Sequence, residues 1–168
     1  LFHLVGTGKV SRMMEVFEFA FRRYGVKQFV IDSLMKCGIN EDDYNGQKEF
    51  IELLCDFAAR TGAHVHLVAH ARKGESEASP VGKMDIKGTG AISDLAFNCF
   101  SIWRNKTKEG ILKAIANGEP VELLRGKTVE SIEQEPDAIL YIDKSRNVED
   151  AEGKYFLWYD GPSMQYME

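Results

Sequence analysis

Phe29, Val30 and Ile31 form a continuous run of aromatic and β-branched side chains that ends in an acid, Asp32. Such a run suits a strand buried on both faces of a parallel sheet. It constrains everything around it, because parallel strands cannot be joined by a tight turn and need a crossover, usually a helix. The flanking sequence supplies those crossovers. Met13, Phe17, Ala20, Phe21 and Tyr24 recur at helical spacing before the run, with Ser11 as the N-cap candidate and Gly25 as the stop. Met14, Val16 and Phe19 add a second apolar face, which requires cover on both sides or a neighbouring subunit. After the run, Phe50, Ile51, Leu54, Phe57 and Ala58 mark one face of a second helix that ends near Thr61-Gly62. "HVHLVA", from His64 to Ala69, reads as the next strand, and Leu1 to Val5 as an earlier one broken by Gly6-Thr7-Gly8. The order strand, helix, strand, helix, strand predicts an α/β fold of the doubly wound type, a mostly parallel sheet flanked by helices.

The second half of the chain is patterned differently. Residues 72–87 read as a polar loop, and a short helix is expected near Gly90. Phe97 to Arg104 reads as a strand, and residues 105–137 as a polar insertion with a helical patch, "GILKAIANG". "AILYID", "KYFLWYD" and "MQYME" read as C-terminal antiparallel strands, with turns at Gly153 and Gly161-Pro162. The 168 residues are enough for one compact domain with a real core. A net charge of -5 excludes a generally basic nucleic-acid coat but leaves room for a local basic patch. No stretch approaches the roughly 20 apolar residues of a membrane span, and no signal-peptide pattern is visible, so no membrane partner is expected. Cys37, Cys55 and Cys99 are odd in number and form no CxxC or Cys/His zinc pattern, which fits reduced, mostly buried thiols. The sequon Asn105-Lys106-Thr107 is too short a match to carry weight.

Ligands of doubly wound sheets bind outside the carboxyl ends of the strands. Asp32 and His70 each stand at such an end. Asp32 can be a helix cap or salt-bridge partner, an acid that holds Mg²⁺ through water at a nucleotide site, or a catalytic acid or base. His70 can be a satisfied structural residue or a polar group that senses a nucleotide phosphate. His64 and His66 lie within their strand and read as structural, and no HExxH or other tight pair points to a transition metal. Arg72, Lys73, Lys83 and Lys87, offset by Glu75, Glu77 and Asp85, make either a solvated loop or an arm that contacts the backbone of a single nucleic-acid strand. Gly88-Thr89-Gly90 is weak evidence for a phosphate loop, and the P-loop pattern GxxxxGK[ST] does not occur in the 168 residues. Lys144 and Arg146, two apart after "AILYID", leave one face of a strand. They are either surface cations or a cationic finger for a nucleotide phosphate across a subunit boundary.

The ordered set "FVIDSL", "HVHLVAHARK", "DIKGTGAISDLAFNCFSIWRNK", "DAILYIDKSRN" and "GKYFLWYD" resembles the RecA-like helicase domain of hexameric replicative helicases. The likeness is to the phage-type primase–helicase and mitochondrial replicative helicase branch, related to the DnaB type, and it covers nearly all of the chain. The resemblance implies an ATP-hydrolysing DNA helicase of the P-loop NTPase superfamily, built as a homo-oligomeric ring, expected to be a hexamer. Such a ring translocates on single-stranded DNA during replication, with ATP and Mg²⁺ as cofactors. It implies that Asp32 coordinates Mg²⁺ through water, with Ser33 beside it at the nucleotide, and that His70 senses phosphate. Arg72, Lys73, Lys83, Lys87, Gly88 and Gly90 would belong to the DNA-binding loop. Lys144 and Arg146 would be offered to the ATP of the neighbouring subunit, with Arg146 as the arginine finger. The expected setting is the cytoplasm of a bacterial or phage-infected cell, or alternatively the mitochondrial matrix. Two departures stand out. Asp94 replaces a glutamine that many members carry shortly after the glycine motif, and the P-loop and catalytic glutamate that the family carries upstream are missing. The chain is therefore expected to be a partial domain, slow or inactive on ATP by itself. Two other readings stand beside this one: a RecA-like recombinase or clock-type ATPase, and a degenerate, non-enzymatic ring-assembly module. Duplex unwinding by the parent would exclude the first, and a P-loop upstream of Leu1 the second.

Overall fold

The computed structural model describes residues 9–71, 85–86, 88, 90–123, 126–149 and 151–168. The strand expected at residues 1–5 lies outside them. The chain divides into two compact units, residues 1–72 with 84–96, and residues 73–83 with 97–168.

In the first unit, α1 (Val10–Tyr24) leads to β1 (Gln28–Asp32), a 3₁₀ turn (Leu34–Lys36), α2 (Tyr44–Thr61) and β2 (His64–Val68), and α3 (Ala91–Leu95) closes it. Helix α1 begins earlier than expected, with Lys9 rather than Ser11 at its N-cap. It stops at Gly25 as the sequence suggests, in the left-handed conformation, with Arg22 and Arg23 in the last turn facing the negative end of the helix dipole. Helix α2 is capped by Asp43, whose carboxylate accepts the Gly46 N–H at 2.9 Å, and it ends at Gly62. Strands β1 and β2 pair in parallel, from Gln28 opposite His64 to Asp32 opposite Val68. The crossover through α2 is what makes this pair parallel.

The core of this unit forms where both helices press on one face of the pair. Met13, Phe17 and Ala20 of α1 and Phe50, Ile51, Leu54 and Phe57 of α2 are buried with Phe29 and Ile31 of β1. Phe29 lies against Phe17 and Phe57, with ring centroids 4.5 and 5.2 Å away. This corrects the expectation that the strand is buried on both faces. Phe29 and Ile31 are 6% exposed but Val30 between them is 66% exposed, because the described residues cover one side only. Of the second apolar stripe of α1, Met14 packs against this core and Val16 is half-buried, while Phe19 is exposed and packs edge-to-face on Tyr24.

The second unit holds β3 (Asn98–Arg104), α4 (Lys106–Ala116), α5 (Val129–Glu133), β4 (Ala138–Ser145), β5 (Gly153–Asp160) and β6 (Gln165–Met167). Its four strands lie in the order β3-β4-β5-β6, all antiparallel. The fold is therefore mixed α/β, with a two-stranded parallel sheet and a four-stranded antiparallel one, rather than the mostly parallel sheet expected. The antiparallel order of β4, β5 and β6 matches the C-terminal strands expected, their connections being too short for a crossover, and the departure is β3, which pairs antiparallel with β4.

The polar segment between β3 and β4 is ordered by a few buried polar groups. Asn105 caps α4 by accepting the Lys108 N–H at 3.0 Å, and its amide donates to Glu135 and to the Pro136 carbonyl. Lys108 is buried, and its ammonium reaches Asp137 at 2.9 Å and the Glu135 carbonyl at 2.6 Å. A Thr128–Ser131 capping box starts α5, which buries Ile132. Asn105 is thereby spent on structure, so the sequon there offers no accessible acceptor.

Candidate functional site

The carboxyl ends of β1 and β2 lie side by side, and the sequence places a polar residue at or just past each. Asp32 is the last residue of β1 and is exposed, opposite Val68 in the register. The next residue, Ser33, is 4% exposed, and the peptide between the two is cis. Ser33 precedes the 3₁₀ turn, where its carbonyl accepts the Lys36 N–H at 2.8 Å and faces the Cys37 thiol at 3.7 Å. Burial raises the pKa of that thiol, which keeps it protonated and unreactive. With its backbone held, Ser33 directs its hydroxyl at the next strand. Its Oγ lies 3.3 Å from Nε2 of His70, two residues beyond the end of β2.

Ser33 and His70 are thus in contact at the carboxyl end of a parallel pair, with the exposed Asp32 next to Ser33 in the chain. A carboxylate, a hydroxyl and an imidazole at these strand ends are acceptors and donors for a polar ligand. Among the described residues no set of three or more His, Cys, Asp or Glu could hold a metal ion. A lone exposed carboxylate such as Asp32 does suit Mg²⁺, which keeps most of its waters and takes phosphate oxygens as further ligands.

Just beyond His70, the chain is pinned by an isolated bridge between Ala71 and Ile86. Arg72, Lys73, Lys83 and Lys87 lie outside the described residues. Gly88 and Gly90 stand before α3, Gly88 with a φ of +130°. Asp94 lies within α3 and is exposed.

Lys144 and Arg146 belong to the second unit. Lys144 is inside β4 opposite Cys99, next to a bulge in the β3–β4 pairing. Arg146 falls just past the strand rather than within it. Its N–H donates to the Phe97 carbonyl at 3.0 Å, and its guanidinium lies 5.5 Å from the centre of the Phe97 ring. The aromatic face orients a guanidinium that remains exposed.

One polar residue of consequence is not singled out by motif. Gln47 lies on the buried face of α2, one turn before Phe50 and Ile51, and is 3% exposed. A glutamine in the register of an apolar stripe is the signal that could have found it.

No protein-family model matches the sequence, and no curated protein matches it.

Proposed function

We propose that the chain is part of an ATP-dependent replicative DNA helicase, a ring that translocates on single-stranded DNA and unwinds duplex DNA. The observation that supports this reading best is the Ser33–His70 contact beside the exposed Asp32, at the carboxyl ends of two adjacent parallel strands. That is where α/β sheets bind nucleotides, and one acid with one polar sensor is the pairing that Mg²⁺-assisted phosphoryl transfer uses at strand ends.

When bound, Mg²⁺–ATP supplies the phosphoryl group and the cation that neutralises its charge. Asp32 would hold the hydrated cation. Ser33, in contact with one nitrogen of the His70 ring, would orient it so that the other nitrogen could meet a phosphate oxygen. Lys144 and Arg146 are the cations for charge developing on a nucleotide of a neighbouring subunit, with Arg146 as the finger. Arg72, Lys73, Lys83 and Lys87 and the glycines that follow would contact the DNA backbone without reading sequence.

The test uses the full-length product of the reading frame that carries this sequence. Hydrolysis stimulated by single-stranded DNA is expected, together with unwinding, and Asp32→Asn and Arg146→Ala each abolish it. Failure of the wild-type protein to hydrolyse ATP in the presence of DNA rejects the reading. The 168-residue polypeptide alone is expected to hydrolyse ATP slowly or not at all, since it has no GxxxxGK[ST] to cradle the phosphates.

A further inference from the structure

We propose that Gln47 is a positioning residue that couples the Asp32 end of β1 to the base of the DNA-contacting loop. The proposal rests on the helicase reading and adds a route by which DNA contact and nucleotide state inform each other.

Gln47 touches both sides. Its amide nitrogen donates to the carbonyls of Asn40 and Glu41, each at 3.1 Å. Those carbonyls belong to the segment that leaves Ser33 through the 3₁₀ turn, so the glutamine anchors the exit from the nucleotide end. The other end of the same side chain meets Gly88. A Cβ on residue 88 would lie 2.6 Å from Gln47 Oε1 and 2.9 Å from Ile92 Cδ1. The backbone at Gly88 therefore runs directly against the glutamine, in a conformation, φ +130°, that side chains rarely adopt. Gly88 stands two residues after Ile86, which bridges Ala71, the residue after His70.

The energetics favour a tie over simple space-filling. Burying a primary amide is costly unless its donors are matched, and here both donor bonds go to one loop. Leu34, Met35, Ile39, Glu41, Gln47 and Gly88 also surround a small cavity, so the glutamine stands between the two segments rather than in a filled core. A shift of residues 38–41 would move Gln47, and Gly88 has no side chain to absorb that movement.

Two variants in the full-length protein test it. Gln47→Met keeps volume but removes both donors. It should keep DNA-free hydrolysis and the KM for ATP within about twofold while stimulation by single-stranded DNA falls roughly tenfold. Gln47→Glu turns two attractive contacts into carboxylate–carbonyl repulsion, and protonation restores one donor. Its stimulation should therefore recover as pH is lowered from about 8 to about 6, a dependence absent from the wild type and from Gln47→Met. Hydrogen exchange gives a readout independent of activity. In Gln47→Met the amides around Asn40 and those around Gly88 should both exchange faster. Full stimulation in a folded Gln47→Met protein, or faster exchange around Asn40 alone, overturns the proposal while leaving the helicase reading intact. Joint exchange changes in a protein that hydrolyses no ATP reject the helicase reading, and the coupling role falls with it, leaving Gln47 as a structural tie.

Discussion

Ser33 Oγ and His70 Nε2 lie 3.3 Å apart although 37 residues separate them in the chain. Nothing local brings them together. The parallel register does, since Asp32 opposite Val68 sets the residues that follow each strand side by side. The serine is buried and its backbone is committed to the 3₁₀ turn, so it is the fixed member, and the exposed histidine is the one able to move.

Two substitutions separate a structural role of this contact from a catalytic one. Ser33→Ala should cost about 1 kcal/mol of stability, the net worth of one hydrogen bond lost at a buried site. His70→Ala removes the same hydrogen bond and leaves the buried Ser33 hydroxyl without it, so it should cost about 1 to 2 kcal/mol. In the full-length protein it should lower kcat for DNA-stimulated hydrolysis by about 10- to 100-fold with a smaller change in KM, the pattern of a contact made mainly in the transition state. Chemical denaturation of both variants beside steady-state kinetics decides it. A loss of stability in His70→Ala with kcat unchanged would mean that His70 is structural.

Phe57 makes a sharper prediction about the core. It is 1% exposed, and its ring lies 5.2 to 6.3 Å from those of Phe29, Phe17 and Phe21, joining α2 to β1 and α1. Phe57→Ala should destabilise the first unit by about 3 to 5 kcal/mol through lost burial and the cavity left behind. Exposed Phe19→Ala should cost less than about 1 kcal/mol. Thermal unfolding of the two variants checks the ranking, and similar costs would mean that the exposed stripe of α1 is covered in solution.

The elements that the sequence revealed well are those governed by periodicity. Phe50, Ile51, Leu54 and Phe57 mark the buried face of α2, though the helix starts ahead of them at Tyr44, and "KYFLWYD" marks the strand β5. The burial of β1 was misjudged for a physical reason. Three consecutive apolar residues look alike whether one face or both are covered, and only the placement of α1 and α2 on the same side exposes Val30. The antiparallel pairing of β3 with β4 was hidden because the intervening segment is long enough for either direction. Asp32 and His70 are legible as residues at or just past strand ends, and that is where the structure places them. Gln47 was overlooked because its partners are backbone carbonyls, which no side-chain motif announces.

The helical segment between β3 and β4 depends on a buried cation. The Lys108 side chain is 6% exposed and is paired with Asp137 at 2.9 Å. Removing the acid leaves a buried charge without its counter-ion, so Asp137→Ala should cost about 3 kcal/mol, whereas Lys108→Met removes the charge and should cost about 1 kcal/mol. The double variant should cost less than the two single effects added together, as expected for groups in direct contact. Additive costs from urea unfolding would show that the pair does not hold the segment.

Acid should loosen the same segment before the rest of its unit. The hydrogen bond from Lys127 holds the Glu135 carboxyl below its ordinary value of 4.5, helped by the Asn105 amide and the charges of Lys127 and Lys108, and opposed by desolvation. Because the pKa is depressed in the folded state, the group contributes its full stability above the unfolded value. That contribution is lost as pH falls from the ordinary carboxylate range through the lower folded value. Protonated Glu135 no longer attracts Lys127, and its hydrogen bond from Asn105 weakens, so the end of α5 loses its ties to the start of α4 and to the residues just ahead of α5. Hydrogen exchange of the α5 amides between about pH 6 and about pH 3, corrected for the intrinsic rate, should show falling protection. Lys127→Met should flatten that dependence, because the folded carboxyl then titrates closer to its unfolded value. Protection that stays constant over this range in the wild type would show that Glu135 does not hold α5 in place.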